Sequence, residues 1–231
     1  MKDHLKRLAA PTTWPIKKKG LKWVRRPFPG SHSMEHGLSM DTLLKDMLAI
    51  AKSSREVRVI LNHRTVLVNG RQIKEVKFIV GLFDVVELKE AKKTYRIMMT
   101  EKGILKSHEI SGAEAKLKPT RVAGKTRLGK DLIQINLGDG RNLVEKKNNY
   151  QVGDTLFLNI DTGKVEQVVK LEKGASIILI SGKHIGKTGQ VADIKGNKIL
   201  VETKDKALFE TRKAYAFAVG KEKPLIALLE E

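Results

Sequence analysis

The 231-residue chain contains no cysteine. Disulfides, thiolate zinc sites and a cysteine nucleophile are therefore excluded together, and the chain suits a reducing cytoplasm. Aromatic residues make up only 5%, which favours several small cores over one large one. Apolar runs such as Ile177–Ile180 fall far short of the ~20 residues that cross a bilayer. Met1–Ala10 carries charge without an apolar centre, so no signal peptide is expected. Acidic residues are scarce: 26 Asp+Glu stand against 45 Lys+Arg, a formal net charge of +19. Such an excess is the electrostatic footprint of a polyanionic partner, either nucleic acid or an anionic membrane surface. What is present in quantity is a hydrophobic fraction of 41%, enough for real cores. The length allows one large domain or two to three small ones.

The positive charge is uneven. Residues 1–36 carry nine Lys/Arg against two acids, the highest density in the chain. They also hold four of the six prolines and both tryptophans. Proline there opposes helix and favours extended chain, and no apolar periodicity offers the segment a core of its own. It reads as an arm that orders on RNA. Lys6, Arg7, Lys17, Lys18, Lys19, Arg25 and Arg26 would meet phosphates, while Trp14 and Trp23 would stack on bases or pack on the body.

Residues 37–92 read as two short helices and a hairpin. Ser39 or Asp41 caps a first helix whose apolar positions are Leu43, Leu44, Met47, Leu48 and Ala51. Ser53-Ser54-Arg55-Glu56 matches a capping box opening a second helix. Val57, Ile60 and Leu61 share one side of it, and Arg55, Arg58 and Asn62 the other. An apolar back with an arginine front holds charge against something flat and anionic. Asn69-Gly70 between apolar runs signals a type I′ hairpin, followed by Arg71, Lys74 and Lys77.

Further on, alternating segments end in turn signals about every 8–12 residues: Tyr95–Met99, Ile133–Leu137 with Gly138-Asp139-Gly140, and Leu156–Ile160 with Asp161-Thr162-Gly163. This pattern predicts a small β-barrel or sandwich. Lys116, Lys118, Arg121, Lys125, Arg127 and Lys130 crowd what reads as one glycine-containing loop around Pro119, with Lys125 and Arg127 as candidate phosphate contacts. Ile177–Val191 runs strand, Gly/Lys-rich loop, strand, and places Lys183, His184 and Lys187 at the loop. Its glycines permit close approach to a ligand.

Other motifs fail. Gly124-Lys125-Thr126 and Gly186-Lys187-Thr188 end like P-loops, but Pro119 and Ser181 stand where the first glycine is needed. His32 and His36 lack a third ligand and an H-E-x-x-H pattern. No G-x-S-x-G is present. No metal, cofactor or catalytic constellation is expected, and the chain does not read as an enzyme.

Ser54–Leu61, Val66–Gly70 and Asp84-Val85-Val86 resemble the S-four RNA-binding module. That resemblance implies RNA contacts at Arg55, Arg58, Asn69 and Arg71, with Lys74 beside them. The family often has glycine at the helix exit, where Asn62-His63-Arg64-Thr65 stands here. Ile177–Val191 resembles the KOW motif of small barrels. His4–Pro11 with Trp14, Val80–Val86 and Gly220–Ile226 complete a resemblance over nearly the whole chain to the archaeal form of the small-subunit ribosomal protein family S four e. The implied fold is α+β and multi-domain: a basic arm at 1–36, an S-four-like αα-hairpin module at 37–92, a central β-rich domain at 93–173, and a KOW-like β-barrel with a tail at 174–231. The implied role is a structural subunit of the cytoplasmic ribosome. Its partners would be small-subunit rRNA and neighbouring small-subunit proteins, with no membrane and no homo-oligomer. The rivals are an RNA-modifying enzyme carrying an S-four module, a KOW-type transcription factor and a factor rescuing stalled ribosomal complexes. Lys and Arg on phosphate release counterions, so affinity falls steeply with salt. Deleting residues 1–30 is expected to weaken rRNA binding and flatten that dependence; a titration series in salt with an unchanged slope would refute the segment's role.

Overall fold

The computed structural model describes residues 4–63, 65–129, 132–146, 149–203, 207–221 and 224–227. Lys130, Arg64 and the tail residues Glu222 and Lys223 lie outside them. The chain forms two compact units, Met1–Met99 with Ile104–Lys116, and Thr100–Gly103 with Leu117–Glu231. Strands dominate the described residues and helices are short and few, so the expected α+β balance shifts to mostly β.

In the first unit, β1 (His4–Lys6) pairs antiparallel with β2 (Trp23–Arg25), His4 facing Arg25 and Lys6 facing Trp23. The expected free arm is thus already folded. Trp14 is buried, and its indole Nε1 donates to the carbonyls of Met34 and Gly37 at 2.9 Å each. The Thr13 carbonyl accepts from Leu105 N–H, and Phe28 N–H donates to the Lys77 carbonyl. The sequence has no sustained periodicity here, beyond two three-residue alternations, because the segment borrows a core from the body instead of building one.

After β3 (Gly37–Ser39), Ser39 Oγ caps α1 (Met40–Thr42) by accepting from Thr42 N–H at 3.2 Å. The helix then widens into a π turn over Leu43–Met47, where Leu48 N–H reaches back to the Leu43 carbonyl. Leu43 and Leu44 are fully buried. α2 spans Ser54–Asn62 and ends at His63, which keeps a right-handed helical backbone without any glycine. There follow β4 (Val66–Val68), β5 (Arg71–Gln72), β6 (Ile79–Gly81), β7 (Val85–Leu88), β8 (Lys93–Met99), β9 (Leu105–Glu109) and the single turn α3 (Gly112–Ala115). β6 pairs with β3, and the others form a sheet in the order β5-β4-β7-β8-β9.

A domain boundary expected after residue 92 would fall inside this sheet, since Lys93 faces Leu88 and Arg96 faces Val85. Tyr95–Met99 has the expected alternation, yet β8 is buried on both faces from Arg96 onward. The fully buried Arg96 guanidinium donates to the Glu114 carbonyl at 2.7 Å and lies 3.8 Å from its carboxylate. Burial pushes the guanidinium down from its usual value, and the Glu114 charge opposes that shift.

In the second unit, β10 (Leu117–Arg127), β11 (Ile133–Leu137), β12 (Asn142–Glu145), β13 (Thr155–Asn159) and β14 (Val165–Val169) form an antiparallel sheet ordered β12-β11-β10-β13-β14. Val122, Ile135, Leu137, Leu156 and Leu158 make its core. The run expected to be a loop around Pro119 is therefore one long strand. Pro119 fits because β10 pairs only with β13 there, and pairing to β11 begins at Val122. Lys118 is buried in that strand with its ammonium 3.0 Å from Asp139. β15 (Ser176–Leu179), β16 (Thr188–Lys195), β17 (Lys198–Thr203), β18 (Leu208–Arg212) and β19 (Ala216–Gly220) form a second antiparallel sheet ordered β18-β17-β16-β15-β19.

Trp14→Phe keeps most of the buried ring but removes the donor shared by two interior carbonyls. Unfolding in urea, followed by circular dichroism, is expected to show a loss of about 1–3 kcal/mol.

Candidate nucleic-acid interface

The cationic face of the first unit begins with local chemistry. Ser53 Oγ accepts from Glu56 N–H at 3.3 Å and donates to Glu56 Oε1 at 2.9 Å. Glu56 Oε2 takes the Lys52 N–H at 2.8 Å, one residue earlier than the usual reciprocal bond. These bonds, chiefly the Lys52 N–H and then the Ser53 hydroxyl, hold the Glu56 carboxyl below the usual glutamate range. The cap fixes the start of α2. Val57 and Leu61 then seat it in the core, and the 3.6-residue period leaves Arg55, Arg58 and Asn62 exposed. Val59 is exposed among them.

The hairpin between β4 and β5 turns at Asn69 and Gly70, whose φ values of 49° and 73° make a type I′ turn. Arg71 and Lys74 beyond it are exposed. Asn69 is committed inward. Its Nδ2 donates to Asp84 Oδ1 at 2.9 Å and its Oδ1 accepts from Val85 N–H at 3.0 Å. Asp84 is buried; its other oxygen accepts from Gly81 N–H at 2.8 Å and lies 3.0 Å from His32 Nε2. Asn69 therefore fixes the hairpin, and Arg71 and Lys74 carry its charge. Among the described residues, no group of three or more His, Asp or Glu is placed to hold a metal.

Within 4–36, Lys6, Lys17 and Lys19 are exposed, and Arg25 and Arg26 are half-buried. Trp23 is 49% exposed. Two expected contacts, Arg7 and Lys18, are turned inward instead, and Trp14 packs on the body. Arg7 is buried, donating to the Lys17 carbonyl and to Asp46, both at 3.0 Å. The Lys18 ammonium donates to the Ala10 carbonyl at 2.6 Å. Trp14 is the buried anchor described above. His4, Leu5, Arg7, Trp23–Arg26, Asp41, Lys45, Asp46, Ser54 and Lys77 line one open cleft of about 440 Å³. Sequence reasoning missed Lys45, Lys77, Asp41 and Asp46 as neighbours of this site, because only tertiary docking of the β1–β2 ladder brings them there. The ladder itself had a signal, two short alternating segments, His4-Leu5-Lys6 and Trp23-Val24-Arg25.

In the second unit Lys125 is half-buried, while Arg127 is exposed with its Nε donating to the Gly129 carbonyl at 3.2 Å. Arg121 is part-buried and donates to the Ala214 carbonyl; burial lowers its pKa. At the 181–187 loop, Lys183 and Lys187 are exposed. His184 stacks on Phe209 with ring centroids 4.1 Å apart. The loop glycines serve packing within the protein. Gly186 has φ +82°, and a Cβ there would sit 1.9 Å from the Thr100 carbonyl oxygen.

The described surface is that of a basic, mostly β protein with a cation-fronted helix and hairpin in its first unit. Residues 1–35 match the RS4NT (NUC023) domain, 41–86 the S4 domain and 91–165 the ribosomal family S4e. The small ribosomal subunit protein eS4 of Methanosphaera stadtmanae is 37% identical over 234 residues, covering 99% of this chain and 96% of that one. The eS4 protein of Methanocaldococcus jannaschii is 36% identical over 240 residues, covering 98% of each. The crystal structure of the 30S ribosomal protein S4e from Thermoplasma acidophilum has a TM-score of 0.70 and 26% identity, covering 80% of this chain and 96% of that one. The class is thus a ribosomal protein built around an S4 domain. Within it, the chain belongs to the S4e family of small ribosomal subunit proteins.

Because the Glu56 carboxyl is depressed in the folded state, its capping stabilises α2 above the ordinary glutamate pKa and is lost as pH falls through the lower folded value. The melting-temperature difference between wild type and Glu56→Gln is therefore expected to shrink from about pH 5 to about pH 3.

Proposed function

We propose that this chain is a structural constituent of the small ribosomal subunit that holds rRNA on cationic surfaces and supports translation there, without catalysing a reaction. The observation that carries this reading is α2, where Arg55 and Arg58 stand exposed above the buried Val57 and Leu61 inside the segment matching the S4 domain. The expected contacts are Arg55, Arg58, Arg71 and Lys74 from that module, and Lys6, Lys17, Lys19, Trp23, Arg25 and Arg26 from the N-terminal ladder and its flanks. Lys125, Arg127, Lys183 and Lys187 of the second unit complete the set. Arg7, Trp14, Lys18, Asn69 and His184 act behind them by holding the contacting residues in place.

The physical basis is counterion release. Phosphate and sugar contacts fix position, and the shape of folded rRNA together with its unpaired bases gives selectivity. We read β15–β19 with the 181–187 loop as the KOW-like element of the architecture, and neighbouring small-subunit proteins as further partners at the ribosome in the cytoplasm. No helix among the described residues is long and apolar enough to cross a membrane.

The test is binding of small-subunit rRNA across a salt series. Arg55→Ala and Arg58→Ala are each expected to weaken binding and to reduce the log–log salt slope by roughly 0.7–0.9 for each phosphate that is no longer neutralised. Lys170→Ala, at an exposed position outside the proposed contacts, should leave the slope unchanged. Equal slopes for all variants would refute the α2 interface, and recovery of the chain away from small-subunit particles in a sucrose gradient would refute the role.

A further inference from the structure

The cleft between the β1–β2 ladder and the first helical segment has a wall unlike the rest of the cationic surface. Five cationic side chains line it, Arg7, Arg25, Arg26, Lys45 and Lys77, with two carboxylates, Asp41 and Asp46, and the Trp23 ring. Carboxylates beside a fully ionised phosphate alone would repel it. Here both are retained at close quarters with a cation. Asp46 lies 3.0 Å from Arg7, and Asp41 lies 3.4 Å from Lys45. Asp46 remains 21% exposed, so its oxygens keep accepting capacity beyond the Arg7 bond. Trp23 is half-exposed although it sits in a strand, with His4 edge-on at 5.6 Å and the Lys22 ammonium 5.3 Å from its ring centroid. The three-residue register of β1 against β2 places that ring beside the cleft, with His4 against its edge.

Aromatic face, cations and hydrogen-bond-accepting carboxylates in one cleft of about 440 Å³ are the three complements of a nucleotide: base, phosphate, and the amino or hydroxyl donors of base and ribose. We propose that this cleft takes a single unstacked ribonucleotide of the bound RNA, its base on Trp23, its phosphate at Arg25 and Arg26, and a base or 2′-hydroxyl donor at Asp46. The proposal rests on the RNA-binding reading above and specifies how one part of it selects unpaired RNA. It also accounts for a folded N-terminal segment, since a stacking platform must be rigid before the base arrives.

The test uses the full chain and its tryptophan fluorescence, with three probes: single-stranded hexaribonucleotides, an abasic ribose-phosphate hexamer of equal charge, and an RNA duplex. Base-bearing single strands are expected to quench the emission saturably, and the abasic hexamer and duplex to do so weakly. Measured by anisotropy of labelled hexamers, Trp23→Leu should lose roughly 5- to 140-fold in affinity, the range for one base stacked on an aromatic. Trp23→Phe should recover most of it. Stacking involves no counterion, so neither Trp23 variant should change the salt slope, whereas Arg25→Ala should lower it by roughly 0.7. Equal binding of abasic and base-bearing hexamers, or undiminished affinity in Trp23→Leu, would overturn the nucleotide cleft. If Arg55→Ala still weakened rRNA binding in that case, the wider RNA-binding reading would stand while this one fell.

Discussion

With so few carboxylates for so many cations, the fold depends on how each acid is placed. Acids in the interior or at its edge sort the positive side chains into two populations. Asp46 draws Arg7 inside, Asp139 draws Lys118, and Glu114 holds Arg96. Lys118–Asp139 is buried on both sides, and breaking a pair of that kind costs about 3–5 kcal/mol, far more than an exposed pair contributes; Asp46 and Glu114 are partly exposed, so their pairs are worth less. These contacts therefore fix geometry, while the cations left outside, such as Arg55, Arg58 and Arg71, remain available to a polyanion. Asp84 performs a related task without a lysine or arginine. It gathers Asn69, Gly81 and His32 around one buried carboxylate, and so ties the hairpin to the segment before the first helix.

The N-terminal segment shows what this sorting achieves. Composition alone describes residues 1–36 as a charged, proline-rich tail. In the structure Trp14, Arg7 and Lys18 are spent on internal bonds, and the chain around them is laid against the body. A segment docked in advance loses less conformational entropy on binding than one that orders at the moment of contact. Under the proposed function, the affinity of this segment would reflect the contacts themselves.

Much of the module at 37–92 was legible because its signals are local. The capping box at Ser53–Glu56, the two-faced α2 and the Asn69-Gly70 turn all depend on residues within a few positions of one another, and all appear as expected. The strands at 133–137 and 155–159 were legible for the same reason. What escaped depends on distance along the chain. Pro119 looked like a loop residue because the sequence does not say which edge of β10 is unpaired. Arg96 looked like the solvent side of an alternating strand because Glu114, its partner, belongs to a turn eighteen residues away. At the candidate site the exposed helix cations were readable from periodicity. Arg7 and Asn69 looked like contacts because residue type cannot distinguish a polar group that meets RNA from one that meets a neighbouring group of the protein, whereas Trp14 takes the second of its two expected roles, packing on the body. The α+β expectation gave two helical segments more weight than they carry beside the strands that follow.

The seat of Gly186 against the Thr100 carbonyl has a consequence for the order in which the protein is made. The first unit ends at Lys116, so its own strands and helices can pair while translation of the same chain is still under way. The second unit takes its turn at Thr100–Gly103 from the early part of the chain, yet the loop that locks onto it is synthesised some eighty residues later, and β19, the partner of β15, later still. That turn closes the β8–β9 hairpin early, with Gly103 N–H donating to the Thr100 carbonyl, but the surface against which Gly186 packs stays open to water until its loop has been made. Small glycine-bearing surfaces suit such a wait, because they expose little apolar area to neighbours in the interval.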